Sequence, residues 1–325
     1  MESSQPNHKY QLRSSDRGSP KKNEKPNVRR RLTSWNKLEE KYPEIFKYKK
    51  DSREEVLEYL KDQNDNDNKS VIYINSESLT VRKLYDLCDK EIWLSSDHIN
   101  AYLSYLNNKF PRIFSLPSFF YTKLTETGRY DYSSVIRWTK RIEIFKKELI
   151  FIPINLDESH WILAAIFMKF PRRIAVLDSL GILMNKSAVS IGKNLIKWLN
   201  DEYRNKVQSV DNDDEFEDFE VNDKDPFRLV KANDDDKNFL LDIVFLNQTP
   251  PQSDGCSCGV FVCMFARLMA EDINRDIIIE IAKSQEANMK FRKVMCTELW
   301  DYAKEEKAQH DNDYIDGITS YNVPF

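Results

Sequence analysis

The stretch Pro250–Val262 reads PPQSDGCSCGVFV, and the rest of the chain is interpreted from it. A turn-forming run rich in Pro, Ser, Asp and Gly stops at Cys258 and Gly259, and an apolar run then continues through Met269. This spacing predicts a buried helix that begins at Cys258. In the first turn of a helix, free backbone N–H groups and the positive end of the helix dipole favour a thiolate over a thiol. Cys258 is therefore a candidate nucleophile.

Gln252 lies six residues before Cys258 and offers an amide N–H to an oxyanion formed at the same place. The plain alternative for a cysteine in such a chain is a small buried hydrophobic side chain. That alternative is our expectation for the other four, which are Cys88, Cys256, Cys263 and Cys296. The sequence upstream of Cys258 is what distinguishes it from them.

Composition excludes several classes of protein. The five cysteines are odd in number and show no repeated spacing, which argues against a secreted disulfide framework. The four histidines are far apart and no paired CxxC units occur, so we expect no metal site and no cofactor. No stretch approaches the roughly 18 apolar residues of a membrane span, so we expect a soluble intracellular protein.

Charge is distributed unevenly along the chain. Residues 1–50 carry 14 Lys and Arg against 6 Asp and Glu, whereas the whole chain has a net charge of −4. Because this basic head shows no sign of a fold, it does not indicate a nucleic-acid-binding domain. Its basic cluster, Lys21 to Arg31, indicates either a nuclear localisation signal or a solvated tail. We expect a nuclear protein, with the cytoplasm as a second location.

The predicted domain organisation follows these composition changes. We expect a disordered basic tail over 1–33, short helices and a polar linker over 34–70, a folded domain over 71–309 and a polar tail over 310–325. An acidic insertion at about 207–238 interrupts the folded domain. Within the domain we predict helices over Ser78–Leu87, Ala188–Tyr203, Ile273–Lys283 and Asn288–Lys304, and a strand over Phe239–Leu246.

Three short apolar runs predict neighbouring antiparallel strands: Leu149–Ile154, Trp161–Met168 and Arg173–Leu177. His160 opens the second strand, and Asp178 directly follows the third. Since adjacent antiparallel strands place the start of one beside the end of the next, His160 and Asp178 are expected to meet. Thiol catalysis needs a base and a group that orients the base. We expect Asp178 to accept from one imidazole nitrogen while the other nitrogen faces Cys258.

Taken in order, these segments resemble the Ulp/sentrin-specific protease family, the cysteine proteases that process SUMO and remove it from conjugates. The resemblance covers roughly residues 76–305. The motifs that carry it are Trp93-Leu94, Phe119-Phe120-Tyr121, Val135–Lys140, Phe151–Asn155, His160-Trp161, Asp178-Ser179-Leu180 and Gln252 through Gly259.

The resemblance implies an α+β fold of the papain-related, adenain-like kind, with a small central mixed sheet flanked by helices. It implies that Cys258 is the nucleophile, His160 its base, Asp178 the orienting group and Gln252 part of the oxyanion hole. Substrate contacts are implied at four positions, which are Trp93, Trp161, Trp138 and Asp97. The implied partners are SUMO or SUMO-conjugated proteins, and we expect a monomer.

The chain departs from the family pattern at three points. Ser257 precedes the nucleophile where the family usually has Asp, and Cys256 stands in place of the usual aromatic residue. The Trp-Leu-Asn-Asp motif reads Trp93 to Asp97 here, so its acidic residue is shifted by one position or absent. The first and last departures bear on which modifier is recognised. Cys256 raises a further hypothesis, that it pairs with Cys258 or protects it under oxidation.

Three functions remain in competition at this point. The leading hypothesis is a SUMO isopeptidase or processing peptidase that works through a thioester acyl-enzyme. The same site would also serve a protease for another ubiquitin-like modifier, or a related Cys-His-Asp acyltransferase. A modifier-binding scaffold with an inactive site is disfavoured, because His160, Asp178, Gln252 and Cys258 are all present.

Overall fold

The structure is a computed structural model that describes residues 40–46, 50–62, 71–126, 128–207, 227–230, 238–244 and 251–315. The basic cluster at Lys21 to Arg31 and most of the acidic insertion lie outside these residues. In the described part of the chain, no helix is both long enough and apolar enough to cross a membrane. No three His, Cys, Asp or Glu side chains of that part are grouped closely enough to hold a metal ion.

A six-stranded mixed sheet forms the centre of the described structure. Its strands run over Ile113–Ser115 (β3), Leu149–Leu156 (β4), His160–Phe167 (β5), Arg173–Leu177 (β6), Arg228–Val230 (β7) and Asn238–Val244 (β8), in the spatial order β3-β4-β5-β6-β8-β7. The pairs β4–β5 and β5–β6 are antiparallel, and β3–β4, β6–β8 and β7–β8 are parallel. The predicted antiparallel neighbours are therefore confirmed. A separate hairpin pairs Val71–Ile74 (β1) with Glu77–Thr80 (β2).

Helices cover both faces of this sheet. They run over Pro43–Phe46 (α1), Lys50–Asp62 (α2), Val81–Asp86 (α3), Ser96–Lys109 (α4), Phe120–Leu124 (α5), Asn185–Val207 (α6), Cys258–Ala270 (α7), Arg275–Ala282 (α8) and Gln285–Ile315 (α9). The first predicted helix begins three residues later than expected, because Ser78 and Leu79 belong to β2. Thr80 caps α3 by accepting a hydrogen bond from the Lys83 backbone N–H at 3.1 Å.

Two apolar cores lie on opposite faces of the sheet, because successive strand residues point to opposite sides. Alternate residues of β5, such as Leu163 and Ala165, face the core built with α7. Their neighbours, such as Ile162 and Ala164, face the core built with α6. Every residue of α7 is buried, so the helix that carries the nucleophile is fixed within the first core. This is the α+β arrangement predicted from the sequence.

Helices α1 and α2 precede the predicted start of the folded domain near Val71, yet they belong to the first core. Ile45, Phe46, Val56 and Leu60 are buried there beside residues of α9. The Ser52 hydroxyl also donates to the Asp301 carboxylate at 2.8 Å. The apolar spacing of this segment therefore serves packing against the domain.

The predicted acidic insertion contains one structured piece that the charge pattern conceals. Phe227 is buried between Phe145, Tyr203 and Phe239, and β7 follows it and pairs with β8. Asn200 on α6 holds this entry point, since its side-chain amide bonds both the N–H and the C=O of Phe227, at 2.9 and 3.0 Å. The acidic composition predicted that the whole segment is solvated. This prediction is wrong at Phe227, because one buried aromatic side chain fixes the chain to the core there.

Candidate active site

Cys258 is the first residue of α7 and is buried. As predicted, it lies where the N–H groups of the first helical turn have no acceptor within the helix. The next residue has to be glycine, because a Cβ built on Gly259 would lie 2.8 Å from the Leu94 Cβ. The absent side chain at position 259 lets the Trp93-Leu94 segment approach the start of the helix.

His160 and Asp178 meet across the end of the sheet, as the strand pattern predicted. His160 Nε2 donates to Asp178 Oδ1 at 2.7 Å, and both side chains are almost completely buried. The Asp178 carboxylate also accepts from the backbone N–H groups of Leu180 and Leu183, at 2.9 and 2.7 Å. Burial by itself opposes ionisation of Asp178, but these hydrogen bonds outweigh it and hold its pKa below the ordinary value.

The other imidazole nitrogen, Nδ1, is buried and has no aligned hydrogen-bond partner among the described residues. Cys258 is the second ionisable group that interacts with this ring. Burial would lower the pKa of His160, but the interactions with Asp178 and with the Cys258 sulfur overcome that effect and raise the pKa to about 9. The site therefore favours an imidazolium beside the Cys258 sulfur at neutral pH.

Gln252 is buried and its side-chain amide has a fixed orientation. The Ser179 hydroxyl donates to Gln252 Oε1 at 2.7 Å, and Gln252 Nε2 donates to the Asp254 carbonyl at 2.8 Å. The Gln252 backbone N–H donates to the Ser179 carbonyl at 3.1 Å. Since a primary amide carries two N–H donors, the second Nε2 hydrogen is left for an oxyanion.

Asp254 organises the turn that leads into Cys258, and sequence reasoning did not single it out. Its Oδ1 accepts from the backbone N–H groups of Cys256 and Ser257 at 2.9 and 2.8 Å, and its Oδ2 accepts from the Ser257 hydroxyl at 3.0 Å. Such an Asx turn is typical of a Pro-, Ser- and Gly-rich run, so the composition carried the signal. Ser257, one of the departures from the family pattern, serves here as a donor to Asp254.

The Cys256 thiol is hydrogen-bonded to the segment that precedes Trp93. Its sulfur donates to the Lys90 carbonyl at 3.1 Å, and Cys256 lines a cavity of about 310 Å³ together with Gln252, Ser257 and Phe261. Burial and the Asp254 carboxylate raise the pKa of Cys256. Cys263 and Cys296 are buried as expected, whereas Cys88 and Cys256 are only partly buried. This geometry does not support pairing of Cys256 with Cys258 in the arrangement described.

The predicted tryptophan pair flanks this site unequally. Trp161 is buried and its indole Nε1 donates to the Leu94 carbonyl at 3.0 Å, whereas Trp93, next to Leu94, is 54% exposed. The hydrogen bond fixes the Trp93-Leu94 segment to the start of β5. Trp161 is therefore a fixed inner ring, and Trp93 is an accessible outer ring.

The other two predicted contact residues lie in different surroundings. Asp97, in the first turn of α4, forms an ion pair with Lys83 and is partly exposed. The Trp138 ring packs against Phe120, with ring centroids 5.8 Å apart, at the border of the second core. Their contact with a modifier remains a prediction, and the structure gives each of them an intramolecular role as well.

Arg292 on α9 is a buried residue that sequence patterns could not have identified. Its guanidinium donates to the carbonyls of Asp89 and Ile92, at 2.9 and 3.1 Å, and lies 3.5 Å from the carbonyl of Cys256. It therefore joins the segment before Trp93 to the turn before Cys258. The charge alternation of α9 gives no sign of this, because the partners are backbone atoms remote in sequence.

A buried thiol at a helix start, an imidazole held by a carboxylate and a buried glutamine amide of fixed orientation define a site of the cysteine-protease kind. The chain belongs to the Ulp1 protease family, whose C-terminal catalytic domain matches residues 92–299, more than half of the chain.

Two curated proteins illustrate the likeness. The chain is 31% identical over 188 residues to ubiquitin-like-specific protease 1 of Saccharomyces cerevisiae, covering 57% of this chain and 24% of that protein. It is 29% identical over 185 residues to sentrin-specific protease 2 of Homo sapiens, covering 55% of this chain and 26% of that protein. The match thus spans about a quarter of the length of these curated relatives.

Solved structures show the same fold. The C-terminal Ulp1 protease domain in complex with Smt3, the yeast orthologue of SUMO, aligns with a TM-score of 0.58 at 24% identity, covering 80% of this chain and 98% of that one. The SUMO protease Ulp1 with its catalytic cysteine oxidised to a sulfenic acid aligns with a TM-score of 0.58 at 23% identity, covering 79% of this chain and 97% of that one.

Proposed function

We propose that the chain is a SUMO-specific cysteine protease that cleaves after the C-terminal Gly-Gly of SUMO, to mature the precursor, to release SUMO from substrate lysines, or both. The observation that carries this proposal is the convergence of Cys258, His160 and Asp178 beside Trp93 and Trp161. Membership of the Ulp1 family supports the substrate class, since the relatives named above are proteases for SUMO or ubiquitin-like proteins.

The first half of the reaction uses the charged imidazole of His160. The Cys258 thiolate attacks the carbonyl carbon of the terminal glycine and forms a tetrahedral intermediate. The oxyanion accepts from the Cys258 backbone N–H and from the free Nε2 hydrogen of Gln252, both of which are held in place before substrate arrives. The His160 imidazolium then gives its proton to the departing amine, which leaves a thioester on Cys258.

The second half regenerates the enzyme. Neutral His160 takes a proton from a water molecule, which attacks the thioester carbonyl and releases the glycine carboxylate and the Cys258 thiolate. Asp178 keeps the ring in one orientation throughout and stabilises the imidazolium each time it forms. The carboxylate is suited to this because the Leu180 and Leu183 N–H groups keep it ionised.

The tryptophans account for the choice of glycine. An extended Gly-Gly has no Cβ and fits between two flat rings, whereas any larger residue would have to displace one of them. Trp161 cannot move aside without losing its hydrogen bond to Leu94. Contacts from Asp97 and Trp138 to the body of the modifier complete the proposal, with Asp97 shared between the modifier and Lys83.

The proposal also covers the location and the oligomeric state of the enzyme. We assign a nuclear location to the basic cluster at Lys21 to Arg31 and treat the enzyme as a monomer. No nucleic acid and no membrane take part in the reaction as proposed. Each of these points is separable from the chemistry and is checked by localisation of the full chain and by its mass in solution.

The test is labelling with a panel of modifiers that carry a C-terminal electrophile, namely SUMO, ubiquitin and other ubiquitin-like proteins. We expect a covalent SUMO adduct with the wild type and none with Cys258→Ala. An adduct with another modifier alone would keep the chemistry and overturn the substrate. The absence of any adduct would favour the acyltransferase or an inactive scaffold.

Two controls sharpen this test. Cys258→Ala should still bind SUMO, because the substitution removes one sulfur and leaves the rest of the surface unchanged. Cys256→Ala should keep activity within about threefold, since its sulfur bonds the Lys90 carbonyl rather than a catalytic side chain. If the adduct is lost in Cys256→Ala and retained in Cys258→Ala, the nucleophile is Cys256 and the assignment to Cys258 is wrong.

A further inference from the structure

The segment between β6 and α6 exposes apolar side chains next to the catalytic residues. Ile182 is 61% exposed, Met184 is 70% exposed, and Val189, in the first turns of α6, is 36% exposed. We call these three residues the apolar patch. Leu183 between them is buried, so Ile182 and Met184 point outward on either side of an anchored residue. Neighbouring large apolar side chains at a surface mark a site of interaction more often than scattered ones do.

The patch is tied directly to the reacting groups. The Leu183 N–H that anchors it donates to the Asp178 carboxylate, and so does the Leu180 N–H. Ser179, at the start of the same segment, holds the Gln252 amide. The segment therefore has a fixed position relative to His160 and to the oxyanion donors.

The two sides of the site are distinguished by the order of strands in the sheet. Trp161 lies on β5, and the Trp93-Leu94 segment is hydrogen-bonded to it. Asp178 follows the neighbouring strand β6, and the apolar patch continues from it, joined to Gln252 through Ser179. If the Gly-Gly end of the modifier passes between the tryptophans, the group attached to its carbonyl leaves toward the patch.

We propose that the apolar patch binds the polypeptide on the leaving-group side, that is, the residues of the target protein that flank the modified lysine. This inference rests on the proposed function. The surface fits an extended segment with an apolar side chain adjacent to the lysine. Exposed Lys186, beside Met184, suits an acidic residue a little further along that segment.

The experiment compares two substrates that share the modifier and differ in the leaving group. One is SUMO with a C-terminal aminocoumarin, which has no polypeptide beyond the scissile bond. The other is SUMO joined through an isopeptide bond to a peptide whose lysine is flanked by an apolar and an acidic residue. The enzyme is the full chain, as wild type, as the double variant Ile182→Ser/Met184→Ser, and as Phe170→Ser.

We expect the double variant to cleave the aminocoumarin substrate within about twofold of wild type and the conjugate about tenfold less efficiently, measured as kcat/KM, because two apolar contacts are lost only in the conjugate. Phe170 is a matched control, since it is 62% exposed but follows the far end of β5. Phe170→Ser should leave both rates unchanged. Melting temperatures of all variants should agree, because the substituted side chains are exposed.

Three results would overturn the inference. Equal loss on both substrates would assign the patch to the modifier or to the structure of the site. No loss on either would show that the leaving group does not touch it. A wild-type dimer that becomes monomeric in the double variant would assign the patch to self-association. Failure of the wild type to cleave even the aminocoumarin substrate would instead remove the proposed function, and with it the basis of this inference.

Discussion

Ser179 and Gln252 hold each other through two hydrogen bonds, one between side chains at 2.7 Å and one between backbone groups at 3.1 Å. Ser179 lies directly after the carboxylate that orients His160, and Gln252 is the predicted oxyanion donor. The pair therefore couples the position of the Gln252 amide to the position of the Asp178 carboxylate. The Ser179 hydroxyl takes no part in the chemistry, but it sets the position of the group that is proposed to stabilise the oxyanion.

The first prediction concerns this pair. Ser179→Ala removes the donor to Gln252 Oε1 and lets the amide turn, so kcat should fall about tenfold with KM little changed. Ser179→Thr keeps the hydroxyl and should recover much of the loss. Gln252→Ala should lower kcat more than Ser179→Ala does. Steady-state kinetics on the aminocoumarin substrate measure both values. A Ser179→Ala enzyme with wild-type kcat would show that Asp254 alone orients the amide.

The second prediction is a pH profile. Since the pKa of His160 is raised to about 9, the imidazolium persists through neutral pH and is lost as the pH rises through that value. The alkaline limb of kcat/KM should therefore lie near pH 9. In Asp178→Asn the carboxylate charge that helps raise this pKa is gone, so the limb should move to lower pH while the rate falls by roughly 10² or more. An unmoved limb would mean that another group titrates there.

The third prediction uses two glycines on either side of the start of α7. Gly259→Ala places a Cβ 2.8 Å from the Leu94 Cβ, which must displace the Trp93 segment, so the free energy of unfolding should fall by about 1–3 kcal/mol, and activity should fall with it. Gly255→Ala meets nothing within 4 Å and should change stability by less than about 0.5 kcal/mol. Chemical denaturation of the two variants checks both values, and equal effects would contradict the steric argument.

The fourth prediction concerns Cys88. A hydrogen bond with Cys296 lowers the pKa of Cys88 to about 7, aided by Arg53 and against the effect of burial. In a Cys258→Ala background, alkylation of Cys88 by iodoacetamide should therefore rise with a midpoint near pH 7, whereas Cys256, whose pKa is raised, should react only at higher pH. Peptide mapping by mass spectrometry separates the two sites.

Arg53→Gln is the control for this assay. It removes a positive charge near Cys88, so the midpoint for Cys88 should move to higher pH, while that for Cys256 should not change. If Cys88 titrates near the value of an ordinary thiol in both proteins, its contact with Cys296 is not maintained in solution.

Local signals in the sequence determined a large part of this protein. The switch from turn residues to an apolar run located the start of α7 at Cys258, and short continuous apolar runs located β4, β5 and β6, because both patterns arise from neighbours along the chain. The antiparallel order of the three strands then predicted that His160 and Asp178 meet. The order of the motifs along the chain then indicated the Ulp/sentrin-specific protease family and, from it, the roles of the site residues.

The tertiary structure alone decided the parts that depend on contacts between distant segments. The burial of Phe227 within an acidic stretch, the ion pair of Asp97 with Lys83, and the hydrogen bond of Cys256 to the Lys90 carbonyl follow from packing that no local pattern encodes. The same holds for Arg292, which joins carbonyls about 200 residues earlier in the chain to the nucleophile turn. Hydrogen bonds to backbone carbonyls place no requirement on residue type, so their partners leave no mark in the sequence.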